Sequence, residues 1–200
     1  MSKPIRVLIA CDTFAPDING AARFAERLAG GLVRNGNEVA IIAPGVDGWS
    51  GTRVEVHDGA MMTVHRLKSH KMPNHKSHRL TSPFGLSRAI KKIILEQKPD
   101  ALHIQSHLMV GRFAMSATRG MSIRRIATNH TMPENLLKYA FLPKFMHPLA
   151  IKILWGDAGR VLRKMDALTT PTRRAADLLE NSAHVTGVLA ISCGIDATKF

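Results

Sequence analysis

Short apolar runs alternate with amphipathic segments along most of this chain. The first run, RVLIAC at residues 6–11, is apolar throughout, as expected for a strand buried on both faces of a parallel sheet. Comparable runs predict strands at residues 38–43, 100–105, 124–128, 166–170 and 185–192. Helical spacing predicts helices at residues 21–34, 83–98, 109–119, 147–165 and 172–180. This alternation predicts an α/β fold with a Rossmann-like, doubly wound parallel sheet.

Two segments depart from the alternation. Residues 53–57 and 60–66 are short strand-like runs on either side of Asp58-Gly59, a dipeptide that favours a tight turn. They predict a β-hairpin. Residues 67–82 are polar, basic and rich in histidine, and they predict a connection without regular structure.

Length and composition predict one domain of ordinary size. The chain has 200 residues, of which 45% are hydrophobic, and no apolar run approaches the roughly 20 residues that span a bilayer. Asp12 interrupts the opening run, so we interpret that run as a strand and predict a cytoplasmic protein. The two cysteines, Cys11 and Cys193, are expected to be reduced.

The formal net charge of +13 favours anionic partners, namely nucleic acid, anionic lipid or phosphorylated small molecules. Basic residues concentrate at residues 65–79 and 138–164, and the second region also carries many apolar residues. That mixture suits peripheral contact with an anionic membrane surface, such as the inner face of the plasma membrane, although a solvated basic loop beside an ordinary core helix fits as well. A nucleic-acid-binding module is an alternative, but no stacking platform or nucleic-acid-binding signature is evident, so we predict no nucleic-acid partner.

Polar residues that packing does not explain follow several strands, where ligands bind in doubly wound sheets. Asn19 can cap the first helix, and Gly20 leaves its start open to an anion such as phosphate. A glycine required only by the turn is the alternative. No Walker A or dinucleotide fingerprint is present.

Two later loops carry candidate ligand-binding residues. His107 lies at the switch from a strand into a helix, where it either contacts a ligand or satisfies the helix start. His130, Glu134 and Asn135 cluster after the strand at residues 124–128, and a histidine near a carboxylate can bond a sugar hydroxyl or handle a proton. A structural loop histidine is the alternative.

A metal site is not predicted. His70, His75 and His78 lie close in sequence, but no further ligands accompany them, and the chain has no Asp-x-Asp motif.

Five segments, in this order and spacing, resemble the N-terminal half of family-four retaining glycosyltransferases, which include phosphatidylinositol mannosyltransferases, diacylglycerol glucosyltransferases and sucrose synthases. The segments are FAPDINGAARFAERLAGGLVRNGNEVAIIAP, PDALHIQSH, RRIATNHTMPENL, DALTTPT and ISCGIDATKF. The resemblance implies one half of a GT-B fold, with residues 1–200 forming the acceptor-side domain. A donor-binding domain with a Glu-x7-Glu signature would be absent from this chain, which alone should not turn over substrate.

The resemblance also implies roles for individual residues. Gly20 matches the glycine near the distal phosphate of a GDP- or UDP-hexose donor, His130 the histidine near the transferred sugar, and Glu134 and Asn135 loop residues near the acceptor glycan or lipid. Cys193 stands where the family has asparagine. The resemblance implies front-face transfer without cofactor or metal. Another GT-B sugar-nucleotide enzyme, such as an epimerase, is an alternative.

Overall fold

A computed structural model describes residues 3–72, 75–137 and 142–194 of this chain. The strands are β1 (Arg6–Ala10), β2 (Glu38–Pro44), β3 (Gly51–His57), β4 (Ala60–Leu67), β5 (Ser69–Met72), β6 (His75–Thr81), β7 (Ala101–Ile104), β8 (Arg124–Thr128), β9 (Ala167–Thr170) and β10 (Val188–Ala190). The helices are α1 (Gly20–Arg34), α2 (Leu86–Gln97), α3 (Met109–Ala117), α4 (Pro133–Leu137), α5 (His147–Leu162) and α6 (Arg173–Ala183), and a 3₁₀ turn (Lys144–Met146) precedes α5.

Eight strands form one sheet in the order β10-β9-β8-β7-β1-β2-β4-β3. All neighbours in it are parallel except β3, which runs antiparallel to β4 at the edge. The chain winds outward from β1 in one direction through β2 and β4, and then in the other through β7 to β10. The predicted Rossmann-like, doubly wound parallel sheet is therefore confirmed, and its switch point lies between β1 and β7.

The sheet separates two apolar layers. Alternate residues of β1 explain the division, because Val7 and Ile9 pack with α1 on one face, while Leu8 and Ala10 pack with the other helices on the opposite face. Burial on both faces is why the central strands read as continuous apolar runs. None of the helices in the described parts of the chain is long and apolar enough to cross a membrane.

The prediction for residues 67–82 was wrong. This stretch forms the hairpin β5–β6, in which His70 pairs with Leu80 and Lys71 with Arg79. The Arg79 guanidinium lies 3.1 Å from Asp17 in the loop after β1, which fixes the hairpin to that loop. The basic composition obscured the hairpin because Lys71 and Arg79 pair with carboxylates that are distant in sequence. The predicted last strand also shortens to β10.

A polar network joins α1 to the edge pair β3–β4. His57 bridges two carboxylates, with Nδ1 3.2 Å from Glu26 of α1 and Nε2 2.8 Å from Glu55. The buried guanidinium of Arg66 donates two hydrogen bonds to the same Glu55. Burial opposes ionisation of Glu55, but the bonds from Arg66, His57 and Arg53 outweigh it and lower the pKa of Glu55 to about 2. The network therefore fixes α1 against the outer half of the sheet.

Candidate functional site at the carboxyl end of the sheet

The N-terminus of α1 is open. The side-chain Oδ1 of Asn19 accepts from the Ala22 backbone N–H at 2.9 Å, and its Nδ2 donates to Thr13 Oγ1 at 2.7 Å, so Asn19 is fixed as the N-cap. Gly20 is exposed, and a Cβ placed on it would meet no atom within 4 Å among the described residues. Packing in this part of the chain therefore does not require a glycine at position 20.

Asp12 joins the ends of the two central strands. It follows β1, and its carboxylate accepts from Ser106 Oγ at 2.5 Å and from the Val110 amide at the start of α3 at 2.8 Å. The close approach depends on Gly111, because a Cβ there would lie 2.0 Å from the Ser106 carbonyl oxygen. Burial raises the pKa of Asp12, while its hydrogen bonds act in the opposite direction. Asp12 thus positions the loop that carries His107.

His130 follows β8 and packs between two elements. Its Nε2 lies 3.2 Å from Gln105 Oε1 at the end of β7. The centroid of its ring lies 4.8 Å from the centroid of the Phe24 ring, and Phe24 is one helical turn after Gly20 in α1. Burial lowers the pKa of His130 to about 4, so the imidazole is neutral at pH 7. His130 therefore lies beside the first turns of α1 as an uncharged hydrogen-bonding group.

A second histidine, His103, is linked to two threonine hydroxyls near His130. His103 Nε2 is 2.8 Å from Thr128 Oγ1, which is 2.8 Å from Thr169 Oγ1 on the next strand. The Thr169 hydroxyl donates to the Ala127 carbonyl, so Thr128 donates to Thr169 and His103 donates through Nε2. Burial, followed by the neighbouring His130, lowers the pKa of His103 to about 4. This second histidine is neutral as well.

His107 is buried two residues beyond Gln105. Its Nδ1 has no hydrogen-bond partner within residues 3–72, 75–137 and 142–194, and the same is true of Asn129 Oδ1. Burial is the largest cause that lowers the pKa of His107, Arg112 lowers it further, and Asp157 and Asn129 oppose the shift. Arg112 and Asp157 form a bidentate ion pair between α3 and α5. The opposing contribution of Asn129 to the pKa of His107 is a side-chain hydrogen bond, so a small adjustment lets these two side chains satisfy each other, and neither atom marks a ligand site by itself.

Glu134 and Asn135 lie in the short helix α4, where the sequence suggested only a loop. The Glu134 carboxylate accepts from the buried Trp155 indole at 3.0 Å, so part of its role is to hold α4 against α5. The side chain of Asn135 is outside the described residues, as are all atoms of Ile195 and Asp196 in the final motif. Before that point, the Gly194 carbonyl accepts from Arg27 of α1 at 3.0 Å.

Residues far apart in sequence therefore lie together at the carboxyl end of the sheet. We call residues 11–20, 105–108 and 129–132 together the rim. The rim contains Asn19, Gly20, His107 and His130 of the sequence-predicted residues, whereas Glu134 and Asn135 lie just beyond it. Sequence reasoning did not single out Asp12 or Gln105, although Asp12 directly follows one predicted strand and Gln105 is the last residue of another, which is the signal that could have found them.

Cavities also occur away from the rim. Cavities of about 340 and 330 Å³ lie near Val39 at the amino end of the sheet and beside Phe84 next to α2. Within the described ranges, no three histidine, cysteine or acidic side chains are grouped to hold a metal. The side chains of His75 and His78 are not among those that the structure describes. Cys11 and Cys193 form no disulfide with each other; Cys11 is buried and Cys193 is partly exposed.

The fold is a Rossmann-like domain of the kind that forms half of a GT-B fold. The profile described as Glycosyltransferase Family 4 matches residues 18–199, and the chain belongs to that family. This confirms the resemblance inferred from sequence.

Individual relatives agree with this assignment. The chain is 27% identical over 199 residues to a GDP-mannose-dependent alpha-mannosyltransferase of Mycolicibacterium smegmatis, covering 98% of this chain and 49% of the relative. It is 24% identical over 196 residues to an alpha-monoglucosyldiacylglycerol synthase of Streptococcus pneumoniae, covering 98% and 42%. Sucrose-phosphate synthase of Thermosynechococcus elongatus superposes with a TM-score of 0.72 at 14% identity, covering 99% of this chain and 50% of that one. The chain thus spans about half the length of the curated relatives it matches.

Proposed function

We propose that this chain is the N-terminal, acceptor-side domain of a glycosyltransferase that moves a hexose from a GDP- or UDP-hexose to an acceptor with retention of configuration. The observation that carries the proposal is the meeting of an open helix N-terminus and a neutral histidine on one rim. Family membership supplies the reaction class, and the mannosyltransferase and glucosyltransferase names of the relatives favour a nucleotide-linked hexose.

Gly20 is the proposed approach point for the distal phosphate of the donor. The free amides and dipole at the start of α1 favour an anion, and the space around Gly20 leaves them accessible. Asn19 keeps this end of the helix in shape by capping it. Charge that develops on the leaving diphosphate would be stabilised there, which is where such stabilisation assists transfer most.

His130 and His107 are the proposed contacts for sugar hydroxyls, with His130 nearest to the reacting centre and His107, Glu134 and Asn135 on the acceptor side. Burial keeps His130 uncharged at neutral pH and also lowers the pKa of His107, which favours hydrogen bonds to hydroxyls over attraction of anions. In a front-face transfer the leaving diphosphate helps to deprotonate the incoming hydroxyl, and the protein positions both substrates. No metal is part of this proposal.

A lipid acceptor, presented at an anionic membrane surface on the cytoplasmic side, is the finer part of the proposal. Phe145, Leu149 and Ile153 are spaced four residues apart on α5 and the turn before it, and they are 83%, 60% and 60% exposed. Lys144 and Lys152 are exposed beside them. Exposed apolar residues flanked by lysines suit the boundary between lipid headgroups and acyl chains.

The test uses the protein encoded by the complete gene, whose sequence should contain a Glu-x7-Glu segment beyond Phe200. Purified protein is incubated with GDP-mannose or UDP-glucose and a lipid extract, and the anomeric configuration of the product is read by NMR. We expect hexose transfer with retention from one donor, and no transfer by residues 1–200 alone. Inverted product would refute retention. Conversion of a sugar nucleotide without transfer would support an epimerase instead, and nucleic-acid binding that is tight and steeply salt-dependent would support the nucleic-acid alternative.

A further inference from the structure

Gln105 is held firmly at the switch point of the sheet. Its backbone amide donates to the Ala10 carbonyl at 3.0 Å, which fixes the end of β7 to the end of β1. Its side chain is buried, with 3% of the residue exposed, on the same face of the sheet as α1 and His130. A buried primary amide must satisfy an oxygen that accepts and a nitrogen that carries two N–H donors.

The oxygen of this amide is satisfied by His130. Gln105 Oε1 lies 3.2 Å from His130 Nε2, and an amide oxygen can only accept, so the ring proton must be on Nε2. A neutral imidazole carries a single ring proton, which leaves His130 Nδ1 as a bare acceptor. The titratable group next to His130 is His103, which is neutral too, and the other neighbour is the Phe24 ring. No charged group among these competes for the proton position.

The nitrogen of the same amide is not satisfied. Gln105 Nε2 is buried and has no hydrogen-bond partner in the portion of the chain that the structure describes. Most buried donors in proteins are paired, so an unpaired one at the end of a strand indicates a place for a ligand atom. Here the unpaired donor and the bare Nδ1 acceptor belong to two side chains in direct contact.

We propose that Gln105 is a positioning residue that holds the proton of His130 on Nε2 and presents its own N–H groups to a hydroxyl of the sugar. The pair offers one donor atom, Gln105 Nε2, and one acceptor atom, His130 Nδ1, without net charge. A hexose presents neighbouring hydroxyls that both donate and accept, whereas a phosphate only accepts at neutral pH. The inference rests on the proposed glycosyltransferase function and deepens it, because it separates the sugar-binding part of the rim from the phosphate-binding start of α1.

The first experiment measures the tautomer of His130 by long-range ¹H–¹⁵N NMR at pH 7 in histidine-labelled chain. We expect His130 protonated on Nε2 in the wild type, and a mixture with a substantial Nδ1-protonated fraction in Gln105→Leu. In Gln105→Glu, a carboxylate replaces the amide, and the midpoint of the His130 titration should rise by at least one pH unit. The other glutamine, Gln97 at the end of α2, provides the matched control Gln97→Leu, which should leave the His130 spectrum unchanged.

Some outcomes would overturn the assignment. An Nδ1-protonated His130 in the wild type would mean that the amide faces the other way. If Gln105→Leu does not fold, the wild-type tautomer and the Gln105→Glu titration still decide, and an unchanged titration midpoint in the folded Glu variant would refute the contact.

Kinetics of the complete gene product test the sugar contact. Gln105→Leu should lower kcat/KM at least tenfold while the affinity for free nucleoside diphosphate stays within twofold, because the phosphates bind elsewhere. Unchanged kcat/KM would refute the sugar contact. Absence of any transfer by the wild type, with the tautomer as expected, would refute the proposed function and leave the Gln105–His130 contact standing.

Discussion

Ser106 Oγ donates to Asp12 Oδ2 at 2.5 Å and joins the ends of β1 and β7 where the sheet changes its direction of winding. The same carboxylate also accepts from the Val110 amide of α3. A ligand-binding crevice forms at this position in open α/β sheets because the loops of the two central strands diverge there. In this chain Asp12 holds the loops after β1 and β7 at a fixed distance from each other.

Replacement of Asp12 should destabilise the fold. Asp12→Ala leaves the Ser106 hydroxyl and the Val110 amide without their acceptor, and we expect the free energy of unfolding to fall by about 3 kcal/mol. Asp12→Asn retains one acceptor and should lose less. Urea unfolding followed by circular dichroism measures both. Asp177→Ala, which removes an exposed ion pair on α6, is the control and should change the value by less than about 1 kcal/mol.

Gly20→Ala separates packing from ligand binding. Among the described residues, a Cβ at position 20 meets no atom within 4 Å, so the free energy of unfolding should stay within about 0.5 kcal/mol. If a phosphate approaches this backbone, the KM for the nucleotide sugar in the complete enzyme should rise at least tenfold. Gly31→Ala is the matched control, since position 31 is equally open among the described residues but lies in the interior of α1. This variant should raise the free energy of unfolding by about 1 kcal/mol and leave KM unchanged. Equal kinetics for both variants would remove Gly20 from the donor site.

Loss of His130 should affect turnover more than folding. We expect His130→Ala to lower kcat of the complete enzyme by a factor of about 100 or more, as for loss of a transition-state contact. Because the pKa of His130 is about 4, its titration should not affect the rate above about pH 5. His184→Asn removes a histidine at the exposed end of α6, where the left-handed backbone tolerates asparagine, and should keep wild-type rates. Wild-type turnover in His130→Ala would refute the assignment.

His103 should make stability depend on pH. Its pKa is 6.5 in the unfolded chain and about 4 in the folded one, so the unfolded state binds a proton first as pH falls. Its contribution is therefore fully present above pH 6.5 and is lost between pH 6.5 and 4, by up to about 3 kcal/mol. Urea unfolding at pH 7.5, 5.5 and 4.5 measures this loss. The loss should be smaller by that amount in His103→Gln, which keeps a donor for Thr128 but does not titrate. An equal loss in both proteins would contradict the prediction.

The exposed residues of α5 should bind anionic vesicles. We expect the double variant Phe145→Ser, Leu149→Ser to reduce co-sedimentation with phosphatidylglycerol vesicles at least fivefold, because it removes apolar contact area. Phe84→Ser is the control, since Phe84 is 90% exposed but lies beside α2. Equal binding by all three proteins, or none by the wild type, would refute membrane contact through α5.

The sequence predicted the sheet and most helices correctly because burial on both faces makes parallel strands conspicuous. Residues 38–43 illustrate this, since the predicted strand and β2 differ by a single residue. The hairpin β5–β6 was missed because its ion pair between Arg79 and Asp17 joins residues 62 positions apart, which no local pattern reveals. Gln105 was missed as a site residue for a similar reason, because its partner His130 is 25 positions away. Loop residues can be placed at the carboxyl end from sequence, but their pairing depends on packing.

The support of α1 has a consequence for how this domain moves. One side of the helix is fixed through Glu26 and His57 to the outer strands, and the other side contacts His130 through Phe24. A displacement of the edge pair β3–β4 would therefore be transmitted along a stiff element to His130 on the far side of the switch point. In hydrogen-exchange measurements, the middle turns of α1 should open together with β3–β4 as one cooperative unit.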